Sequence, residues 1–385
     1  MRIFIEPLDV LFFRDGRPFT AGEQHFAQSI FPPTSLTFQG AIRTKILKQK
    51  GILTNFDKLK AFWESKDEIC QIIGSSQDGN YGKLRIKGPF IAKKEKDKII
   101  EHFIAPLDIV RAKETNNFYM LRPLKENLFI SDITEDFRNL SSLWVRKKQI
   151  FEKATGYISE TDLEKYLVNT VSEIQLVSED SFLARDLRLG IALKEGKKIS
   201  EEGLLYMAEF LKLKEGWGFT LDIYLENEKD LNKEMFPESG FLSLGGERRA
   251  VFYFKINERN WLSLKEKIEE KINKTKRFKL ILLSPAYLDK GWYATWMKNG
   301  EKEGVKFKWV SACVGNFIPI GGWNLANKGY PKPMRKSIPA GSVYFFELEK
   351  GINKLFKLFW LNSISEKYRE IGFGLTLIGH WDYIY

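Results

Sequence analysis

Hydrophobic alternation opens the chain. In RIFIEPLDVLFF, Ile3 and Ile5 fall on one side before the stretch becomes an apolar run, the pattern of a central strand. The polar, glycine-bearing FRDGRPFTAGEQ that follows reads as a loop. FPPTSLTFQGAIRTKILKQKG predicts a helix: Pro32-Pro33 with Thr34 or Ser35 mark its start, and Gly51 stops it. Leu36, Ala41, Ile42 and Ile46 form its apolar stripe. Strand, loop and helix together begin a β-α-β arrangement.

Residues 52–80 read as a variable insert with short helical pieces. KLRIKGPFIAKK and IIEHFIAPLDIVRA predict two strands joined by the charged turn KEKDK, and Leu163, Tyr166 and Leu167 mark one helix face. SFLARDLRLGIAL carries arginines, while LLYMAEFLKL and GFTLDIYLE predict strands. NEKDLNKEMFPES is the best linker, which predicts domains over 1–235 and 236–385. Beyond it, GFLSLGGERRAVFYFKI reads as strand, glycine-arginine turn and strand. Leu264, Ile268 and Ile272 give the clearest helix, and FKLILLSPAYLDKGW and KWVSACVGNF are strands. A glycine- and proline-rich loop from IPIGGWN ends in the strand SVYFFELE, and a helix around KLFWLNSISEKYRE leads into the turn GFGLTLIG. Both parts are strand-rich with few helices, an α+β pattern with helices on one sheet face. No repeat shows at the level of residues, although each part holds a strand, a glycine turn and an amphipathic helix.

Length supports two domains, because 385 residues exceed the roughly 250–300 at which single cores stop growing. Lys and Arg number 61 against 50 acidic residues, a net charge of +11 that favours a polyanionic partner. An aromatic share of 14% leaves rings for stacking as well as packing. Cys70 and Cys313 form no CxxC pair, and with three histidines no zinc site assembles by spacing. The cysteines read as two buried thiols of a reducing cytoplasm. The opening MRIFIEPLDV lacks the apolar core of a signal peptide, and no apolar run reaches the about eighteen residues of a membrane span. The expectation is a soluble, intracellular protein with no cofactor and no metal.

Gly372-Phe373-Gly374 begins a GxG, but the eleven residues after Gly374 leave no room for the rest of a dinucleotide-binding unit. A P-loop is absent too. The same residues match the middle of the RNA-recognition signature, with Ile371 in place of its basic residue and Leu375 and Ile378 in place of stacking aromatics. What is left is backbone approach to phosphate or sugar, or a structural turn. His25 lies on an arginine-bearing loop where a ribonuclease would place a general base. A lone histidine without a second motif is more often a surface group, so no catalytic residue is assigned.

The arginine turns carry more weight. Arg14 and Arg17 flank Asp15-Gly16, Arg43 and Lys45 follow Gly40, and Arg185 and Arg188 precede Gly190. Arg248 and Arg249 follow Gly245-Gly246, and Gly321-Gly322-Trp323 sets an aromatic beside a further glycine pair. Glycine next to arginine suits phosphate, since backbone N–H and guanidinium can donate to one anion.

These residues carry a family likeness. IEPLDVLFFRDGRPF, PPTSLTFQGAIRT, DLRLGIAL, LGGERR, LLSPAYLDKGW, the GGWN…PAGSVYFFE run and GFGLTLIGHW follow one another in the order of a known family. End to end, the chain resembles the RAMP-superfamily subunit three of the Cmr complex, the type III-B CRISPR effector. The resemblance implies two ferredoxin-like domains, related to RNA-recognition folds, with insertions. It implies a non-catalytic subunit that binds the 5′ tag of the CRISPR RNA, docks on the large polymerase-like subunit and abuts the backbone subunits in antiviral defence. Carried over residue by residue, the tag surface includes Arg14, Arg17, Gly40, Arg43, Gly245 to Arg249, Gly372 and Gly374. Lys45, Arg188, Gly321, Gly322 and Trp323 join it as neighbouring basic or glycine positions. The stretch Lys147 to Tyr166 is where a thumb-like projection is expected. A metal-independent endoribonuclease using His25 is the rival expectation.

Overall fold

The computed structural model describes all residues except 15–25, 54–61, 63–67, 76–78, 127–136, 171–173, 194–199, 228–230, 232, 325–329 and 385. At 191–193, 200–205, 324 and 330 it describes the backbone alone. The chain forms two compact units, each assembled from separated segments: 1–100, 180–258 and 319–335 in the first, 101–179, 259–318 and 336–385 in the second. The linker expected near 230–240 therefore lies inside the first unit, and the units do not follow each other along the sequence.

The first unit contains β1 (Arg2–Pro7), β2 (Phe26–Ala27), α1 (Ser35–Gln49), β3 (Leu84–Glu95) and β4 (Leu183–Leu193). It continues with β5 (Ser200–Leu213), β6 (Trp217–Leu225), β7 (Ser239–Leu244) and β8 (Arg249–Ile256). Its main sheet runs β3-β6-β1-β8-β7, antiparallel throughout. The opening alternation has a physical reason: β1 is central, with Ile3 opposite Leu221 on one side and Lys255 on the other. Ile3, Ile5, Phe219, Leu221 and Tyr253 are buried together with Phe38, Ile42 and Ile46 of α1. Phe38 meets Phe219 edge to face at 5.2 Å. Leu36, expected in the stripe, is half-exposed, and Phe38 takes the inward position instead. β4 and β5 make a long antiparallel hairpin, with β2 lying parallel beside β5.

The second unit contains α2 (Glu160–Leu167), α3 (Leu262–Thr275), β9 (Arg277–Leu282), α4 (Thr295–Asn299) and β10 (Val305–Cys313). It ends with β11 (Val343–Lys350), α5 (Ile352–Phe359) and β12 (Thr376–Gly379). Its sheet is ordered β10-β11-β9-β12, again antiparallel. With the edge strand β7 set aside, both sheets show the order second, third, first, fourth. In the first unit these are β3, β6, β1 and β8; in the second, β10, β11, β9 and β12. No repeat shows in the residues themselves, because strand order leaves no mark on residue identity.

Three expectations change. The last helix ends at Phe359 instead of running on through KLFWLNSISEKYRE. There Asn362 Nδ2 donates to Lys357 O at 2.5 Å, and the hydroxyls of Ser363 and Ser365 donate to Phe373 O and Lys367 O. Such local bonds compete with helix formation. The glycine-proline loop after Phe317 is instead a two-stranded ribbon, Ile318–Asn324 with Tyr330–Ser337. Cys70 and Cys313 are half-buried, each with Sγ 3.2 Å from a carbonyl oxygen, and burial pushes the Cys313 thiol up to about 12. Among the described residues, no helix is long and apolar enough to cross a membrane.

The core of the second unit holds charge. Asp108 accepts from Tyr166 Oη at 2.6 Å and from Lys279 Nζ at 3.2 Å, with all three side chains buried. Lys279 Nζ lies 3.5 Å from the centre of the Tyr166 ring. Burial lowers the ammonium to about 8 against the opposing pull of Asp108. A pair of this kind loses several kcal/mol when one partner is removed, because the other is left charged and dry.

His380 is equally buried. Its Nε2 lies 3.0 Å from Thr275 Oγ1, whose own hydrogen goes to Lys271 O at 2.9 Å. Nε2 therefore donates, and Nδ1 is a buried acceptor with no partner among the described residues. Protonation would add a dry N–H there, so burial lowers His380 to about 4 despite the nearby Asp382. Above pH 6.5 the neutral ring is common to folded and unfolded chains. As pH falls from 6.5 towards 4 the unfolded chain takes up the proton first, and stability drops. Urea midpoints should fall over that window by the equivalent of about 3 kcal/mol, and His380→Gln should flatten the slope. An unchanged slope in the variant contradicts the assignment.

Candidate nucleic-acid interface

The first unit brings together several of the arginine turns. The segment after β1 is stitched to β5: Leu11 N donates to Leu211 O at 2.7 Å, and Leu211 N returns a bond to Leu11 O at 2.8 Å. Phe13 O accepts from Ile30 N at 2.8 Å, and Arg14 pairs by backbone with Ser29. The buried Ser29 hydroxyl donates to Glu209 O at 2.6 Å. Arg14 is thus held half-exposed on a fixed backbone, while Arg17 and His25 lie outside the described residues.

Val10, Phe12, Ala27, Ala208 and Phe210 form a small core beneath this segment. The rings of Phe12 and Phe210 lie 5.0 Å apart. In the β4–β5 register Arg188 opposes Ala208 and Asp186 opposes Phe210, so Arg188 shares a face with Phe210. Its guanidinium stands 5.0 Å from the Phe210 ring centre, and that of Arg249 stands 4.8 Å from the same ring. Two arginines from distant parts of the chain thus share one buried aromatic support. Such cation–π contacts contribute about 0.5–1 kcal/mol at exposed sites and fix the planar groups in place.

The glycine pair explains the approach of Arg249. Gly246 N donates to Phe12 O at 2.7 Å. A Cβ on Gly245 would sit 2.5 Å from Phe12 O, and one on Gly246 would sit 2.7 Å from the Phe12 ring. These glycines let the turn lie on Phe12. Glu247 and Arg248 follow at φ values of 56° and 51°, a left-handed conformation that side chains seldom adopt, and both are exposed.

Three of these arginines pair with carboxylates. Arg188 binds Asp186 at 2.8 Å, Arg249 binds Glu247 at 2.5 Å, and Arg185 binds the buried Glu209 at 2.8 Å. Asp186 and Glu247 are exposed enough for their pairs to be weak, so exchange of carboxylate for phosphate costs little. The Arg185 pair is better sheltered and positions the hairpin. Arg249 Nε is buried and has no acceptor among the described residues.

The α1 residues divide. Arg43 Nη2 donates to Ser75 O at 2.7 Å and Gly74 O at 3.4 Å, and burial lowers its pKa. It anchors the insert. Lys45 Nζ lies 6.0 Å from the centre of the Tyr253 ring, and burial lowers its pKa with help from Lys48. Gly40 is different: a Cβ there would meet no atom within 4 Å. A glycine inside a helix costs about 1 kcal/mol relative to alanine, and no packing at Gly40 requires it. One turn earlier, Leu36 lies 3.9 Å from a Cβ built on Gly322, which places Gly321, Gly322 and the exposed Trp323 beside the start of α1.

The terminal glycines face inward. Gly372, Phe373 and Gly374 are buried in the second unit, with φ of 85° at Gly372 and 68° at Gly374. Gly374 N donates to Pro285 O at 2.7 Å, and a Cβ there would sit 2.5 Å from Ser365 N. Phe373 stacks on Tyr287 at 5.5 Å. The missing Cβ makes room for Ser365, so this turn presents no surface to a ligand. Among the described residues no group of three His, Cys, Asp or Glu side chains is placed to hold a metal.

Sequence reasoning missed Phe12 and Phe210. The alternation in LLYMAEFLKL was visible, but the register that sets Phe210 under Arg188 needs the partner strand.

Comparison with curated proteins gave no match. Among solved structures, a chain of the type III-B Cmr-β complex bound to cognate target RNA superposes with a TM-score of 0.50 at 14% identity, covering 98% of this chain and 96% of that one. A chain of the same complex with target RNA and AMPPnP gives 0.47 at 15% identity, covering 97% and 95%. A chain of the Csm3–Csm4 subcomplex of the type III-A interference complex gives 0.35 at 14%, covering 99% of each. The first of these likenesses is one of fold. The profile of the CRISPR-associated protein family Cas_Cmr3 matches residues 3–381, so the chain belongs to that family.

Proposed function

We propose that this chain is the RNA-holding, non-catalytic subunit three of a cytoplasmic type III-B CRISPR effector complex. In this reading it secures the 5′ tag of the CRISPR RNA, docks on the large polymerase-like subunit and abuts the backbone subunits. Family membership supports the complex, and the fold likeness is to a chain from a Cmr complex bound to RNA. The shared strand order of the two sheets, with α1 following the first strand in one and α4 and α5 interleaved in the other, supports two ferredoxin-like domains. The observation that carries the RNA assignment is the pair of guanidinium groups, Arg188 and Arg249, set on Phe210 with exchangeable carboxylates.

Arg14, Arg188, Arg248 and Arg249 supply the phosphate contacts, and Arg17 joins them as an expectation from the motif. Gly40 with Gly321, Gly322 and Trp323 supplies an open path for a backbone and a ring to stack on. Arg43 and Lys45 support α1, and Gly372 and Gly374 support the second core.

In the assembled complex, Arg188→Ala with Arg249→Ala should weaken binding of tagged RNA by about tenfold to a hundredfold and reduce the slope of log K against log salt by about 1–2. Retention of the full slope by a folded double variant would contradict the assignment. Gly40→Ala should raise the unfolding midpoint, and Gly40→Leu should stay folded yet bind the tag at least about tenfold more weakly. Equal tag binding by Gly40→Leu would remove α1 from the RNA path. Purified chain incubated with repeat RNA should leave it intact. Metal-independent cleavage that His25→Ala abolishes would replace this reading with the nuclease one.

A further inference from the structure

The main sheet of the first unit carries α1 on one face only. Tyr253 of β8 points to that face, where Lys45 of α1 stands 6.0 Å from its ring centre. Side chains alternate along a strand, so Phe252 and Phe254 point the other way. Register extends this second face across three strands: Glu6 of β1 opposes Phe252, which opposes Phe241 of the edge strand β7, and Phe4 opposes Phe254 in the next row. The rings form a continuous series, with Phe241 and Phe252 5.3 Å apart, Phe252 and Phe254 6.2 Å, and Phe254 and Phe4 5.6 Å. The series rises out of the core towards the edge. Phe4 is buried, Phe252 and Phe254 are half-buried, and Phe241 is 61% exposed.

Cations stand at both ends of this series. The exposed Lys94, near the end of β3, holds its ammonium 5.2 Å from the centre of the Phe254 ring. At the other end the exposed Arg248 sits at the tip of the β7–β8 hairpin, about 13 Å from Phe252 along an extended strand. Between them Glu6 shares its row with Phe252 and Phe241. Its carboxylate turns phosphate away from the middle of the face and offers acceptors to amino groups there.

An inorganic anion would use the cations and have no need of the rings. An apolar protein surface laid over Phe241 would desolvate Glu6 and leave Lys94 and Arg248 without an anion, at a cost. Single-stranded RNA uses the whole arrangement, since its bases offer flat faces to aromatic rings and its phosphates suit the flanking cations. We propose that this face is a stacking platform for single-stranded RNA, with bases on Phe241 and Phe252 and the backbone directed towards Arg248 and Lys94. The proposal rests on the RNA-holding reading of the chain but on different residues from the Phe210 site. Arg249, three positions before Phe252 in β8, lies on the opposite face of the hairpin.

Titration of the full-length chain with octa-adenylate, the same RNA carrying a central 2-aminopurine, and an abasic octamer of equal charge tests the proposal. Octa-adenylate should bind saturably with Kd below about 500 μM, and the abasic octamer at least about tenfold more weakly. The 2-aminopurine fluorescence should be quenched on binding. Phe241→Leu with Phe252→Leu keeps apolar side chains but removes the rings. It should weaken octa-adenylate by about tenfold or more and abolish the quench, with the abasic octamer and the salt slope unchanged. Phe241→Leu alone, at an exposed position, should stay folded and lose about fivefold or more. Arg188→Ala with Arg249→Ala should lower the salt slope and leave the quench at saturation intact. Equal binding of the two unlabelled octamers, no saturable binding below about 5 mM, or full affinity in Phe241→Leu overturns the platform. If the arginine variant still weakens tagged RNA in the assembled complex, that failure leaves the RNA-holding reading standing. Loss of a partner chain from the purified complex in Phe241→Leu, with octamer affinity unchanged, assigns the face to protein and likewise overturns the proposal.

Discussion

The contact on which the candidate surface depends is between Phe12 and Phe210. Their rings, 5.0 Å apart, join the segment after β1 to the β4–β5 hairpin. On that joint rest the backbone bonds between Leu11 and Leu211, the turn of Gly245-Gly246 laid against Phe12, and the guanidinium groups of Arg188 and Arg249. Burying a phenylalanine side chain contributes about 1.5–3 kcal/mol, so the arginines stand on a site whose stability comes from apolar packing. In the proposed reading, placement of charge is separated from its use: the rings fix position, and weak surface carboxylates hold the cations until a phosphate replaces them.

The glycines serve two different ends. Gly245 and Gly246 give up a Cβ so that two parts of the chain can touch, and Gly374 does the same for Ser365 in the second core. Gly40 alone of these opens onto empty space. A glycine beside an arginine in a sequence therefore does not by itself mark an approach to phosphate. The distinction lies in what the missing Cβ would have met.

Much of the fold was legible in the sequence because it rests on periodicity. The central β1, the stripe of α1 and the four-residue spacing of Leu264, Ile268 and Ile272 each follow from side-chain alternation or helical repeat. The interleaving of the two units was not legible, since a polar stretch such as NEKDLNKEMFPES looks the same whether it leaves a domain or returns to it. Of the site, Arg14, Arg188 and the 245–249 turn could be picked out as residue types, and their convergence could not. Arg43 shows the opposite failure. Its position suited phosphate, yet its guanidinium is occupied by the carbonyls of Gly74 and Ser75.

The most direct test is photo-crosslinking of the native assembled complex to its own guide RNA, with adducts located by mass spectrometry. Adducts on peptides spanning Arg185 to Gly190 and Gly245 to Arg249, with none on Gly372 to Gly379, are the predicted result. Adducts confined to other parts of the chain, or none on it at all, would contradict the assignment of Phe210 and its two arginines to the tag.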